Sequence, residues 1–379
     1  MELPSVQHPP PAVDVVVLAY GMEPLLNSCV SAVLASEDVD VAVYVVDNGA
    51  SEAVRLLPED RRLTVLTPGT NTGFARGCLI GAGAGSAENL VFVNSDAVVA
   101  PGAIRSLCRA LDDETIGLVT GCVLLPAPRQ ARAAAPGRDA LRVNAAGNPV
   151  HWLGFSWCGG YGRPQSEFRT RRDVASISGA LFAIRRRYWR LLGGFDPMYF
   201  AYHEDVDLSL RTWCHGFRVV YEPGAVCVHH YEFSRHPRKT YLLERNRLIT
   251  WLTVPSRDTL RRLFLPLVVT QCLLLGHALT HKGGRQWLAA WWWLLRHPAA
   301  VVRRRRRVQA NRRVGDADWI ALSAAALEPP DPAGLRVPAV VNWFLRLGHR
   351  RLVRRAGLGS CQGSDPPAAG TPEPARNPT

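Results

Sequence analysis

The densest acidic cluster in this 379-residue chain is His203-Glu204-Asp205-Val206-Asp207. Two neighbouring carboxyls oppose each other's ionisation, which pushes one pKa upward and suits a group that must accept a proton. The same acids also suit the plain start of a helix, whose dipole favours negative charge there. Asp207 and Arg211 have the four-residue spacing of a helical ion pair. Asp47 opens Asp47-Asn48-Gly49; a carboxylate there can accept hydrogen bonds from ribose or base groups, or simply close a turn. Asn71, Gly73, Arg76 and Gly77 begin a small-residue segment. Glycines let a backbone approach a ligand, and a helix N-terminus beside an arginine suits phosphate; a cap with a solvated arginine is the other account of the same residues. Trp152, Phe155 and Trp157 offer faces that can stack on sugar rings or fill a core.

These residues need a framework, and the first third of the chain alternates. Residues 13–19 (VDVVVLA), 41–47 (VAVYVVD), 63–67 (LTVLT), 90–93 and 117–125 are short β-branched or apolar runs, while 23–35, 74–85 and 103–111 have helical spacing. Continuous apolar strands separated by helices predict a parallel sheet covered on both faces, with ligands at the carboxyl ends of the strands. Asp47 and Asp96 both fall at such ends. Residues 126–173 break the pattern with a Pro/Ala/Arg-rich loop and an aromatic, glycine-rich stretch. Order returns with a strand predicted over 174–185, a short helix over 188–192 and a turn at Gly193-Gly194-Phe195-Asp196-Pro197. A helix from Glu204 to about Cys214 and strands over 217–221 and 225–229 complete it.

The ordered set VVVLAYG (15–21), VVDNGAS (45–51), NTGFARGCLIG (71–81), VFVNSD (91–96), SGALFAIRR (178–186), GGFDPMYFAYHEDVDLSLR (193–211) and AVCVHH (225–230) resembles the family 2 glycosyltransferases, and within them the rhamnosyltransferase-like branch. The resemblance implies a GT-A fold, a Rossmann-like α/β arrangement with a mostly parallel sheet and helices on both faces. It also implies a nucleoside-diphosphate sugar donor, a divalent metal (Mn or Mg), and transfer of a hexose or deoxyhexose with inversion at the anomeric carbon. The matching nucleotide-sugar positions are Ala19, Tyr20, Asp47, Asn71, Gly73, Arg76, Asn94, Ser95, Asp96 and Gly179. Asn94-Ser95-Asp96 occupies the place of the family's metal motif with Asn where the first acid would stand, so Asp96 is left to hold the cation nearly alone. His229 matches the family's metal-ligand histidine, with His230 beside it as the alternative. Asp205 matches the base that takes the proton of the acceptor hydroxyl, with Glu204 second. Trp152, Trp157 and His203 are the candidate acceptor contacts, and Arg245-Asn246-Arg247 also fits the branch, in a phosphate-binding or structural role.

The net charge of +13 is unevenly spread: residues 235–313 hold 18 Lys or Arg against Glu244 and Asp258, a net of +16, which leaves the remainder near −3. One basic segment argues against a nucleic-acid surface across the protein and for a local anionic partner. That segment contains an apolar stretch at 263–280, interrupted by Pro266, Gln271 and His277, and a tryptophan-rich stretch at 287–302 followed by Arg303 to Arg307. Neither is a clean span of about 20 apolar residues; tryptophans and arginines beside apolar helices predict helices lying in an anionic membrane surface, with a spanning helix and a soluble helical lid as the alternatives. The acceptor is then expected to be a glycan or polyprenyl-linked glycan of cell-envelope polysaccharide synthesis. Nine cysteines without a CxxC pair predict buried free thiols, and the N-terminus shows no basic region leading into an apolar one. The expected location is therefore cytoplasmic, peripheral to the inner face of the membrane. The expected division is an N-terminal extension (1–12), a catalytic domain (13–235), the basic helical segment (236–325), a short helical region (326–364) and an unstructured tail (365–379). Ala19-Tyr20-Gly21-Met22-Glu23-Pro24 is no glycine-rich phosphate loop, and GxGxxG is absent, which disfavours a nucleotidyltransferase or a dinucleotide-dependent oxidoreductase. A catalytically silent sugar-nucleotide binder or scaffold of the same fold is the alternative.

Overall fold

The computed structural model describes residues 9–127, 141–230, 237–280, 284–330 and 337–356. The β-branched runs form β1 (Ala12–Ala19), β2 (Asp40–Asp47), β3 (Leu63–Leu66) and β4 (Asn89–Asn94), all parallel in the order β3-β2-β1-β4. Alternate side chains enter opposite cores. Val13, Val15, Val17, Val91 and Val93 pack with α1 (Leu26–Leu34) and α4 (Ala103–Leu111), while Val16, Leu90 and Phe92 pack with α3 (Phe74–Ala84). The short α2 (Ser51–Val54) follows the Asp47 turn. Gly77 and Gly81 bring α3 down onto β1, where a Cβ on either would collide with Leu18 or Val16.

Beyond β4 the sheet becomes mixed. Its further strands are β5 (Ala97–Val99), β6 (Ile116–Leu124), β7 (Val143–Ala145), β8 (Arg172–Asp173), β9 (Leu181–Arg185) and β10 (Arg218–His229). β9 runs antiparallel between β4 and β6, β10 is parallel to β6, and β5 closes the edge antiparallel to β10. The strand expected over 174–185 begins only at Leu181. Before it, Ile177 N–H donates to Ser209 Oγ at 3.1 Å and Ser178 N–H to Thr120 Oγ1 at 3.1 Å, so hydroxyls replace the ladder. The two strands expected over 217–229 are one, β10, with a register irregularity between Glu222 and Val226. α5 (Arg186–Leu192) and α6 (Glu204–Cys214) cover the face that α3 covers. Among the described cysteines none forms a disulfide, and Cys272 is the exposed one; Cys361 and the tail over 365–379 lie outside the described residues.

The C-terminal part is α7 (Lys239–Thr253), α8 (Arg257–Thr280), α9 (Gly284–Arg296), α10 (Pro298–Ala310), α11 (Ala317–Leu322) and α12 (Ala339–Arg355). The stretch expected over 287–302 is divided between α9 and α10 at His297-Pro298, because a residue preceding proline is turned away from helical geometry. Within α8, Arg257–Gly276 has a mean hydropathy of 1.4 and is long and apolar enough to cross a membrane; 11% of that stretch is buried. Phe264, Leu265 and Leu273 are exposed on it, as is Leu279 further along α8.

The arginine run is not simply a surface feature. Arg304 is 1% exposed and donates to Asp196 Oδ2 at 2.9 Å, to Asp207 Oδ1 and to Thr253 Oγ1. Arg211 closes the cluster, its Nε 2.9 Å from Asp207 Oδ2 and its other nitrogens on Leu192 O and Gly194 O. Arg305 donates to Leu252 O and Pro255 O, and Arg312 pairs with Asp316 at 2.7 Å. Part of the +16 charge is therefore compensated inside the protein, whereas Arg303 and Arg306 are exposed. Removing one partner of a buried ion cluster leaves uncompensated charge, which costs about 3 kcal/mol. Arg304→Met is expected to lower stability by about that amount in urea titration; an unchanged midpoint would show that the cluster does not hold the two parts together.

Candidate active site

α6 starts directly after a strained loop. Phe200 (φ 63°), Tyr202 (φ 69°) and His203 (φ 71°) are left-handed without being glycine, a conformation that costs about 1 kcal/mol or more per residue. α7 holds this loop in place. Asn246 Nδ2 donates to Tyr199 O at 3.0 Å, Ala201 O at 2.9 Å and Tyr202 O at 2.7 Å, and Arg245 donates to Met198 O at 3.0 Å and Tyr199 O at 2.8 Å. Arg247 pairs with Glu244 at 2.7 Å and donates to Leu153 O at 2.8 Å. All three residues of the 245–247 triplet are buried and bonded to protein groups, which gives them a structural part. Sequence inspection marked the triplet but missed the clamp, since its partners are carbonyls of a loop whose positive φ angles leave no glycine as a signal.

The clamped loop delivers Glu204 and Asp205 to the first turn of α6. Glu204 is buried and its Oε2 has no hydrogen-bond partner among the described residues. Desolvation by burial raises the Glu204 pKa, and the neighbouring Asp205 charge raises it further. Burial also raises Asp205, opposed by the backbone amides of Val206 and Gly179; Val206 N–H donates to Asp205 Oδ1 at 2.8 Å. Asp207 differs although burial pushes it up too, because Arg211 and Arg304 outweigh that and hold it low. Burial, with the Arg247 charge second, pushes His203 down to about 3, so its ring is neutral.

A second group stands at the strand ends. His229 Nε2 is 3.0 Å from Asp96 Oδ1 and 3.3 Å from Asn94 Nδ2. The former is a direct hydrogen-bond distance, and the imidazole and the carboxylate are both groups with the chemistry to hold a cation. Among the described residues no three His, Cys, Asp or Glu gather for a metal. His230 N–H donates to Asp96 O at 3.0 Å. Ser95 is buried beside them. The two groups are linked by the chain before β9: Gly179 lies against Asp205, and Ala180 O accepts the Asn94 N–H at 3.0 Å.

The remaining candidates are more occupied with their own loops. Asp47 accepts from Gly49 N–H at 3.1 Å, Ala50 N–H at 2.7 Å and Ser51 Oγ at 2.8 Å. Asn48 and Asn71 clasp each other at 2.9 Å, and Asn71 Oδ1 also accepts Gly73 N–H at 2.9 Å. Gly73 (φ 79°) has no room for a side chain, for Phe200 lies against it, and Phe200 O accepts Ala75 N–H at 3.1 Å. In the first turn of α3 the Ala75 amide is thus turned to a protein group, while Arg76 is exposed. Ala19 is buried and accepts Asn48 N–H at 2.9 Å; Tyr20 is half-exposed next to Gly49. Trp152 belongs to the core, and Trp157 is half-buried.

A family model described as "Glycosyltransferase like family 2" matches residues 9–249. The chain belongs to this family. The glycosyltransferase is 28% identical over 277 residues to the N-acetylglucosaminyl-diphospho-decaprenol L-rhamnosyltransferase of Mycobacterium tuberculosis, covering 65% of this chain and 88% of that protein. It is 29% identical over 291 residues to the O-antigen biosynthesis protein RfbC of Myxococcus xanthus, covering 70% of this chain and 21% of that one. The solved structure of GalNAc-T7 with UDP, GalNAc and Mn2+ superposes with a TM-score of 0.50 at 17% identity, covering 63% of this chain and 48% of its own. That likeness is one of fold, and it agrees with the expected GT-A arrangement.

The raised Glu204 pKa has a consequence for stability. A carboxyl that binds its proton more tightly when folded stabilises fully below the unfolded pKa of about 4.3, and that contribution is lost as pH rises toward the folded value. Glu204→Gln is expected to raise the melting temperature at pH 8 relative to the parent and to change it little at pH 4. Equal shifts at both pH values would contradict a raised Glu204.

Proposed function

We propose that this glycosyltransferase moves a hexose or deoxyhexose, rhamnose being the sugar in the Mycobacterium tuberculosis relative's name, from a nucleoside diphosphate to a hydroxyl of a polyprenyl-linked glycan. The observation that carries the proposal is the short path from Asp96–His229 through Asn94, Ala180 and Gly179 to Asp205. One end suits a donor's diphosphate and the other suits an acceptor's proton. In the reaction, the acceptor oxygen bonds to the anomeric carbon from the face opposite the leaving group. The bond from that carbon to the phosphate oxygen breaks and the nucleoside diphosphate departs with the electron pair, while the hydroxyl proton passes to Asp205. The configuration inverts. Glu204, kept protonated by burial and by the Asp205 charge, leaves Asp205 as the ionised member of the pair. A divalent cation, if bound, would be held by Asp96 and His229 and would supply neutralisation of charge on the departing diphosphate.

Membrane association belongs to the same proposal. Exposed Phe264, Leu265 and Leu273 on α8, Trp292 and Leu295 on α9, and Trp343 and Phe344 on α12 form apolar surface that a bilayer would cover. The exposed Arg257, Arg261, Arg296, Arg303 and Arg306 supply positive charge beside it. We place these helices at the inner face of the cell membrane, where lipid-linked acceptors are found. The silent-scaffold alternative gains no specific support, since Asp96, His229 and Asp205 all keep chemically competent side chains.

Ligands that bind only the folded state raise its melting temperature. Thermal melts against a panel of nucleoside diphosphates, with and without manganese or magnesium, are expected to show metal-dependent stabilisation by one diphosphate. The effect should disappear in Asp96→Ala. Stabilisation by none of them would contradict the donor site.

A further inference from the structure

We propose that a cavity of about 340 Å³ beside His203 binds the apolar chain of the lipid-linked acceptor where that chain meets its polar head. This rests on the acceptor being lipid-linked, as proposed above. The cavity lies between the loop that carries Phe155 and the helices α7, α8 and α9, with Leu243, Leu274 and Ala278 among its walls. Its two charged wall residues, Glu244 and Arg247, are paired with each other, so they give the cavity no net charge. A free, water-soluble glycan would have little use for such walls.

Two buried polar atoms of the lining residues are without a partner among the described residues. His203 is more than nine-tenths buried, and its Nε2 has no hydrogen-bond partner among the described residues; the same holds for the buried Nε1 of Trp287. Both residues line the cavity. Buried polar groups are nearly always hydrogen-bonded, so two orphans in one cavity point to a ligand with oxygens to offer. The Trp287 N–H is a donor only, and a neutral imidazole can donate from Nε2. A phosphate or sugar oxygen at the end of a hydrocarbon chain meets both, while the chain itself lies against the leucines. The direction follows from sequence and fold. His203 is two residues from Asp205, which sets the polar end on the side of the reacting hydroxyl, and α8, which lines the cavity with Leu274 and Ala278, also exposes Leu273, Leu265 and Phe264.

The test uses the full chain in detergent micelles and a diazirine-bearing geranylgeranyl diphosphate as photoprobe, with labelled peptides mapped by mass spectrometry. Labelling is expected on peptides of α7, α8 and α9 that line the cavity, competed by decaprenyl phosphate. Ala278→Trp, which fills the cavity, should cut it at least tenfold, and Leu274→Gln serves if that variant does not fold. Retained metal-dependent stabilisation by the nucleoside diphosphate shows that a variant is folded. Labelling spread along the outer face of α8 and unchanged by either variant would overturn the proposal. Cavity labelling in a protein that shows no response to any nucleotide would uphold the lipid site and contradict the donor site.

Discussion

The buried cluster of Asp196, Asp207, Arg211 and Arg304 is the interaction on which the arrangement of this enzyme depends. Asp207 sits on α6 two residues after Asp205, Asp196 precedes the strained loop, and Arg304 reaches them from α10. Charges removed from water are tolerated only when well paired, and losing one partner is far worse than never having had the pair. The cluster therefore fixes α6 relative to α10 by the penalty of separating them. The carboxyls at the start of α6 take their positions from that joint.

A second constraint acts from α7. The loop of residues 198–202 has left-handed residues that no local preference explains, and Asn246 and Arg245 bond its carbonyls one after another. The strain is offset by hydrogen bonds from a different part of the chain, a pattern that accompanies functional loops. Phe200 carries the effect across to Gly73 and Ala75, so the loop at the head of α3 and the loop before α6 are joined through one residue. The helices expected to serve the membrane are thus also the brace of the carboxyls proposed for catalysis.

Much of the sheet was legible in sequence because β-branched runs and small-residue helices obey simple periodicities, as in β1, β2, β4 and α3. The course before β9 was not, because Ile177 and Ser178 look like strand residues yet bond to the hydroxyls of Ser209 and Thr120. The basic run was legible as charge but not as position: Arg303 and Arg306 face solvent, while Arg304 between them is buried on two aspartates that lie about a hundred residues earlier. Asp47 and Asn71 were recognisable as candidates from their motifs, and the local bonds by which Asp47 closes its own turn are the turn reading of the same residues; the Asn48–Asn71 clasp depends on a distance between turns that no spacing encodes. The 3.0 Å meeting of Asp96 and His229 likewise joins the turn after β4 to the end of β10, 133 positions apart in the sequence.

The claim at the centre of this account is that Asp205, rather than Glu204, accepts the acceptor's proton. The most direct measurement is the transfer rate of Asp205→Asn at saturating donor and acceptor, alongside its donor affinity. A general base contributes on the order of 10²–10⁴-fold, so the predicted result is a kcat lower by about 10³-fold with donor affinity unchanged. A variant that transfers sugar at the parent's rate would contradict the account.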